Sequence, residues 1–166
     1  MAKLRRWGRE LLILLLIVLA VVMAMDWLRA PQAPAAFDTQ ALTTLSGEKV
    51  SLAQLSRDKP LLVYFWASWC GVCRFTTPYV ARLAEEGGNV LTVALRSGDD
   101  LQVEQWLARK RLTLPVVNDP RGELSAQWQV GVTPTLVVIS QGKVVQSTTG
   151  WTSYRGMKLR LWWAER

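Results

Sequence analysis

The 166-residue chain contains no histidine, only two cysteines, and no methionine between Met25 and Met157. Without imidazole there is no base for a Ser-His-Asp or Cys-His pair. A structural zinc site takes about four N, S or O ligands, and two cysteines without histidine do not supply them. Two thiolates can hold the soft ion Cu(I), although copper sites usually add a methionine or histidine. A peroxidatic cysteine sits in its own Pro/Thr-bearing motif, and nothing of that kind precedes Cys70. With no third cysteine, any disulfide that this pair attacks belongs to another molecule.

The two cysteines stand together in Trp66-Ala67-Ser68-Trp69-Cys70-Gly71-Val72-Cys73, after the apolar run Leu61-Leu62-Val63-Tyr64-Phe65 and before a helix-like segment. A strand that delivers Cys-x-x-Cys to the first turn of a helix suits reversible thiol–disulfide exchange. The thiolate is the nucleophile, and a helix N-terminus stabilises it through unpaired N–H groups and the positive dipole end. As a staple the pair is weak. So short a loop restricts the unfolded chain by roughly 2 kcal/mol, against about 4.7 for a hundred-residue loop. Redox exchange is the expected role, carried by the Cys70–Cys73 disulfide with no further cofactor and no metal.

The composition is half hydrophobic, and part of that comes from Leu11 to Met25, a stretch without a charged or polar side chain. Lys3, Arg5, Arg6 and Arg9 precede it, and Asp26 and Trp27 follow. Extended to residues 7–28, with Trp7 and Trp27 at the interfaces, the stretch is long enough for a single membrane span. A cleaved signal peptide is the other reading of the same pattern. Asp26-Trp27 stand where cleavage wants small residues, which favours an uncleaved signal-anchor. Both readings send the rest of the chain out of the cytoplasm. The net charge of +7 divides here: residues 1–25 carry those four basic residues against Glu10, and the remaining sixteen basic and twelve acidic residues leave +4. That balance is ordinary for a soluble domain and gives no sign of nucleic-acid binding. The cluster Arg109-Lys110-Arg111 suits the C-terminal end of a helix.

The expected organisation is a basic cytoplasmic tip and signal-anchor over 1–28, a Pro/Ala linker over 29–37, and one domain over 38–166. Within the domain, Leu42–Leu45 and Lys49–Ser51 read as a hairpin and Leu52–Leu55 as a short helix capped by Ser51. Leu61–Trp66 is a buried-type strand. A helix from about Gly71 to Glu86 follows, with apolar or aromatic positions at Val72, Phe75, Tyr79, Val80 and Leu83; Pro78 removes one of its hydrogen bonds. Asn89–Leu95 is strand-like, a helix runs from about Leu101 to Lys110, and Val116-Val117 is a brief strand. A helix over Glu123–Trp128 leads to Gly131-Val132-Thr133-Pro134. Thr135–Ser140 and Lys143–Thr149 form a hairpin about Gln141-Gly142, and Thr152 to about Glu165 is helical. This order predicts an α/β fold, a mixed central sheet flanked by helices on both faces. Trp106, Trp128, Trp162 and Trp163 are expected in the core or on helix faces.

Phe65-Trp66-Ala67-Ser68-Trp69-Cys70-Gly71-Val72-Cys73, followed some sixty residues later by Val132-Thr133-Pro134-Thr135, resembles the thioredoxin superfamily. The resemblance spans roughly residues 38–166. With an N-terminal hairpin and a membrane anchor, the chain is most similar to the TlpA-like membrane-tethered thioredoxins of Gram-negative bacteria, a group that includes the cytochrome c maturation reductants. Within it, Cys-Gly-Val-Cys and the following Arg-Phe-Thr-Thr-Pro look most like the suppressor-of-copper-sensitivity protein D type.

The resemblance implies a thioredoxin fold with an N-terminal β-hairpin, preceded by one transmembrane helix. It implies a protein thiol–disulfide oxidoreductase at the bacterial inner membrane, N-terminus cytoplasmic and catalytic domain periplasmic, with a part in copper or oxidative stress tolerance or in cytochrome c maturation. Its partners would be proteins bearing disulfides or dithiols and a membrane electron donor or acceptor. Cys70 would be the exposed attacking thiol and Cys73 the buried resolving one. Pro134 would be cis, the backbone of Thr133 would pair with the substrate, Trp69 would wall the site, and Gly71 and Val72 would tune the potential. Arg74, one turn from Cys70, would also favour the thiolate. Two positions depart from the family pattern: Tyr64 stands where a buried acid is common, and Thr76 where TlpA-like proteins often carry glutamate. Water, a backbone group or the substrate's leaving thiolate is then expected to take the Cys73 proton. The alternative from another class is a redox-inert or Cu(I)-holding tethered scaffold.

Overall fold

The structure, a computed structural model, describes residues 2–166. Met1 and the side chains of residues 2–6 and 26 lie outside that description, and with them the expectations for Lys3, Arg5, Arg6 and Asp26. The chain divides into two compact units that meet between Ala30 and Pro31. The first holds helix α1 (Ala2–Leu28). Its window Trp7–Met25 has a mean hydropathy of 2.4 and is long and apolar enough to cross a membrane. A helix apolar on every side suits lipid rather than one face of a soluble core.

The second unit begins at Pro31, not at Asp38. The Pro/Ala stretch read as a linker is packed for most of its length: Pro31 is buried, and Ala33 and Phe37 lie against the core. The Gln32 N–H donates to the Trp128 carbonyl at 3.0 Å, and the Phe37 ring meets Trp128 edge to face at 5.0 Å. Two prolines stiffen the segment, so little chain entropy opposes its docking.

Strands β1 (Ala41–Thr43) and β2 (Lys49–Ser51) pair antiparallel, and Ser51 caps the short α2 (Leu52–Leu55). The main sheet contains β3 (Leu61–Trp66), β4 (Val90–Leu95), β5 (Val116–Asp119), β6 (Thr135–Ser140) and β7 (Lys143–Thr149) in the order β5-β4-β3-β6-β7. The first three run parallel, linked by α3 (Cys73–Glu85) and α4 (Asp100–Lys110); β6 and β7 run antiparallel. Helix α5 (Glu123–Gln127) precedes β6, and α6 (Tyr154–Ala164) ends the fold.

All six residues of the central β3 are buried, because helices or loops cover both faces. Leu62, Tyr64 and Trp66 join one core with residues of α3, α4 and α6. Leu61, Val63 and Phe65 join the other, with the hairpin, α2 and Trp128. The period of two thus assigns alternate residues to opposite cores. Of the apolar positions read on α3, Val80 and Leu83 are buried, whereas Val72, Phe75 and Tyr79 are exposed. Trp128 is core and Trp106 stacks on Trp66, while Trp162 and Trp163 ride exposed on α6. Helix α6 is held to α3 by the Tyr154 hydroxyl, which donates to the Glu86 carboxylate; this bond and the Arg82 guanidinium hold that carboxyl below its usual range.

Candidate active site

The site forms where β3 stops. Past Trp66 the chain turns, with the Cys70 N–H donating to the Ala67 carbonyl at 3.2 Å. The loop after β4 pins this turn twice. Ser97 Oγ accepts the Ser68 N–H at 2.8 Å and itself donates to the Leu95 carbonyl. The Trp69 indole N–H donates to the Arg96 carbonyl at 3.0 Å. The parallel β3–β4 register, which sets Trp66 beside Ala94, brings the two loops together.

Cys70 and Cys73 are joined as a disulfide, with Cα atoms 5.3 Å apart. Helix α3 starts at Cys73, two residues later than the sequence predicts, and its N-cap residue Val72 offers no side-chain acceptor. The sulfur supplies one instead: the Cys73 N–H donates to Cys70 Sγ at 3.1 Å. One of the orphan donors of the helix start is thereby directed at the sulfur, which is the arrangement that stabilises a thiolate there. Cys70 is half-buried and Cys73 is 1 % exposed, so Cys70 is the more accessible of the two.

Across from the pair, the Thr133–Pro134 peptide is cis. The Thr133 carbonyl oxygen lies 3.4 Å from Cys70 Sγ. Pro134 is buried and its carbonyl accepts the Gly150 N–H, while Thr135 Oγ1 donates to the Val132 carbonyl. These bonds hold the loop against the start of β6. The Thr133 N–H has no partner among the described residues.

Beneath Cys73 runs a short chain of hydroxyls. Thr77 Oγ1 donates to the Cys73 carbonyl at 2.7 Å, so the Tyr64 hydroxyl is the donor in its 2.9 Å bond to Thr77. Burial pushes the Tyr64 phenol well above its usual range, and it stays neutral. It therefore offers Cys73 no base. Thr76 is buried with its hydroxyl on the Val72 carbonyl. Among the described residues the only buried carboxylate is Asp119, at the end of β5, where it accepts the N–H groups of Leu124 and Ser125.

Trp69, Val72 and Phe75 form an exposed apolar rim on the cysteine segment; Trp69 is 64 % exposed. Gly71 has open space where a Cβ would stand and no positive φ, so the backbone does not demand glycine there. Sequence reasoning placed Trp69, Gly71, Val72, Thr133 and Pro134 around the cysteines. It missed Ser97 and the backbone of Arg96, whose roles depend on strand register, and the exposure of Phe75.

The AhpC/TSA family profile matches residues 31–148. The chain is 42% identical over 163 residues to a thioredoxin-like protein of Haemophilus influenzae, covering 98% of both chains. It is 33% identical over 107 residues to the thiol-disulfide oxidoreductase ResA of Oceanobacillus iheyensis, covering 60% of this chain and 55% of that one. Among solved structures, it is similar to the pneumococcal exposed lipoprotein thioredoxin Etrx1 of Streptococcus pneumoniae, with 28% identity and a TM-score of 0.61 over 74% of this chain and 96% of the other.

Proposed function

The chain belongs to the AhpC/TSA family and is a thioredoxin-like thiol–disulfide oxidoreductase; we propose that it works tethered to a bacterial inner membrane, exchanging disulfides with partner proteins on the periplasmic side. The observation that carries the exchange is the unequal exposure of the two sulfurs, with the outer one receiving the N–H of the inner.

In the reducing direction, the Cys70 thiolate attacks one sulfur of a substrate disulfide. A Cys70–substrate bond forms, the substrate S–S bond breaks, and one substrate thiolate leaves. The Cys73 thiolate then attacks Cys70 Sγ, closing the internal disulfide and releasing the second substrate thiolate. Two electrons pass to the substrate. The Cys73 proton goes to the departing thiolate or to water, since Tyr64 is already a donor. The free Thr133 N–H and its carbonyl pair with the substrate backbone in the manner of an added strand. A membrane dithiol donor restores the pair, and oxidation runs the same steps backwards. TlpA-like proteins of the suppressor-of-copper-sensitivity protein D type are the group this reading draws on.

The tether rests on α1. Its nineteen-residue window rises about 28 Å, close to the roughly 30 Å hydrocarbon core. Arg9, near the N-terminal end of that window, and the basic residues before it favour an inside N-terminus. Insulin reduction by full-length protein, lost in Cys70→Ser, tests the exchange. The intact mass of membrane-extracted protein tests the anchor, which a mass lacking the first thirty residues would rule out.

A further inference from the structure

Between the edge strand β7 and helix α6 runs a groove of about 750 Å³. Val145, Leu159, Trp162 and Trp163 give it apolar walls, Arg160 and Arg166 supply its charge, and no carboxylate lines it. We propose that this groove is a membrane-docking face, which seats the domain on anionic lipid headgroups. The proposal rests on the tether reading and adds which side of the domain meets the bilayer.

The core needs only one side of α6. Tyr154, Met157, Leu161 and Ala164 recur at spacings of three and four and pack against the sheet and α3. Leu159, Trp162 and Trp163 fall outside that stripe and are 61 %, 45 % and 67 % exposed. Across the groove Val145 is exposed as well. Contiguous apolar surface of this kind marks a contact with another body. The two charged side chains are held at the groove by residues that line it themselves. The Arg166 guanidinium lies 3.9 Å from the centre of the Trp162 ring, and Arg160 donates to the Gln146 amide oxygen at 3.3 Å.

Charge selects the occupant. From Tyr154 onward the chain carries Arg155, Lys158, Arg160 and Arg166 against Glu165 alone. Lys158 shares Glu86, whereas the three arginines have no carboxylate partner among the described residues. A second copy would set these cations against their own kind. The exposed Lys143 at the start of β7 also discourages strand pairing along that edge. Tryptophan and leucine beside arginine and lysine are the composition that settles at headgroup level, with indole at the apolar boundary and the cations on lipid phosphates.

A short tether makes even a modest surface contact count. From Met25, where the apolar window ends, to Pro31, where the domain begins, the chain spans at most about 21 Å. A domain of this size is about 35 Å across. Some side of it therefore stays close to the headgroups, at a high effective concentration of lipid surface.

The test uses full-length protein carrying 5-fluorotryptophan, in bicelles of phosphatidylcholine alone or with about one third phosphatidylglycerol. A headgroup nitroxide lipid broadens nearby fluorine signals, and each signal is assigned by its loss in the matching phenylalanine variant. Trp162 and Trp163 should broaden with the anionic lipid, as Trp7 and Trp27 do in both bicelles, and about 0.5 M salt should release them. Arg166→Gln should lower the docked-to-free ratio read at Trp163 about fivefold, the factor that one cation contributes near an anionic surface. The signal of the buried Trp128 should not move in that variant. If Trp162 and Trp163 stay sharp in both bicelles while Trp7 and Trp27 broaden, the docking face is overturned, the tether stands, and the groove is left to a protein partner. A perturbation that ignores lipid charge and follows protein concentration overturns it in favour of a second copy. Sharp Trp7 and Trp27 signals overturn the tether reading itself.

Discussion

The Cys73 N–H donates to Cys70 Sγ at 3.1 Å, so the Cys70 sulfur occupies the position that a Ser or Asp side chain takes at an ordinary helix start. In the dithiol state the same N–H and the end of the α3 dipole face the thiolate. Cys70 should therefore react with iodoacetamide at pH 7, where an ordinary thiol is only a few per cent ionised, and Cys73 should be protected by its burial. Peptide mapping after a short pulse reads this directly. In Cys73→Ser the resolving attack is lost, and a mixed disulfide at Cys70 should accumulate and show by mass.

Tyr64 supports the site as a neutral donor. Tyr64→Phe leaves a lone pair of the buried Thr77 hydroxyl unmatched and should lower stability by about 1 kcal/mol in urea unfolding. The pH dependence has a definite sign. The folded-state value lies above the unfolded phenol's 10.0, so the contribution is intact below pH 10 and is lost as pH rises beyond it. Stability measured upward from pH 10 should fall more steeply in the wild type than in Tyr64→Phe.

Ser97 fixes the turn ahead of Cys70 from a neighbouring loop. Ser97→Ala should cost about 1 kcal/mol. It should also raise hydrogen exchange at the Ser68 amide, while the α4 amides stay protected by the Asp99–Gln102 capping box. Unchanged exchange at Ser68 would show that Ser97 does not hold the turn.

The segment 31–37 should behave as part of the domain. Phe37 is half-buried against Trp128, and Phe37→Ala should lower stability by about 2 kcal/mol through lost burial and the edge-to-face contact. A free linker would show no change.

Gly71→Ala tests the opposite expectation. With open space and no positive φ at Gly71, alanine should leave folding intact or raise stability by a few tenths of a kcal/mol, by restricting the unfolded chain. Any effect should appear in the equilibrium potential instead.

The cysteine pair, its strand and helix, and the distant Thr133-Pro134 were readable because each is a contiguous pattern with local meaning. Leu61–Trp66 has the length and β-branched, aromatic content of a buried strand, and the cysteines follow it directly. The contributions of Ser97 and Arg96 were not readable, since they arise from the β3–β4 register, and register is a tertiary property. The docking of Pro31 to Phe37 escaped for a related reason. A Pro/Ala composition suits an extended spacer and an extended segment laid on a core equally well, and only the presence of Trp128 decides between them. The β-bulge between Val138 and Ile139, which leaves Val145 exposed on β7, carries no glycine or proline to announce it.

The central claim is that Cys70 and Cys73 form a working redox couple, and the most direct measurement is its equilibrium with glutathione in full-length protein, read by mass after acid quench. The account predicts a single reversible two-electron transition between dithiol and disulfide, shifting by about 30 mV per tenfold change in the equilibrium constant. It also predicts that Cys73→Ser will instead hold glutathione on Cys70. A pair that stays in one state across all glutathione ratios, or a reduced protein whose Cys70 resists alkylation, would contradict it.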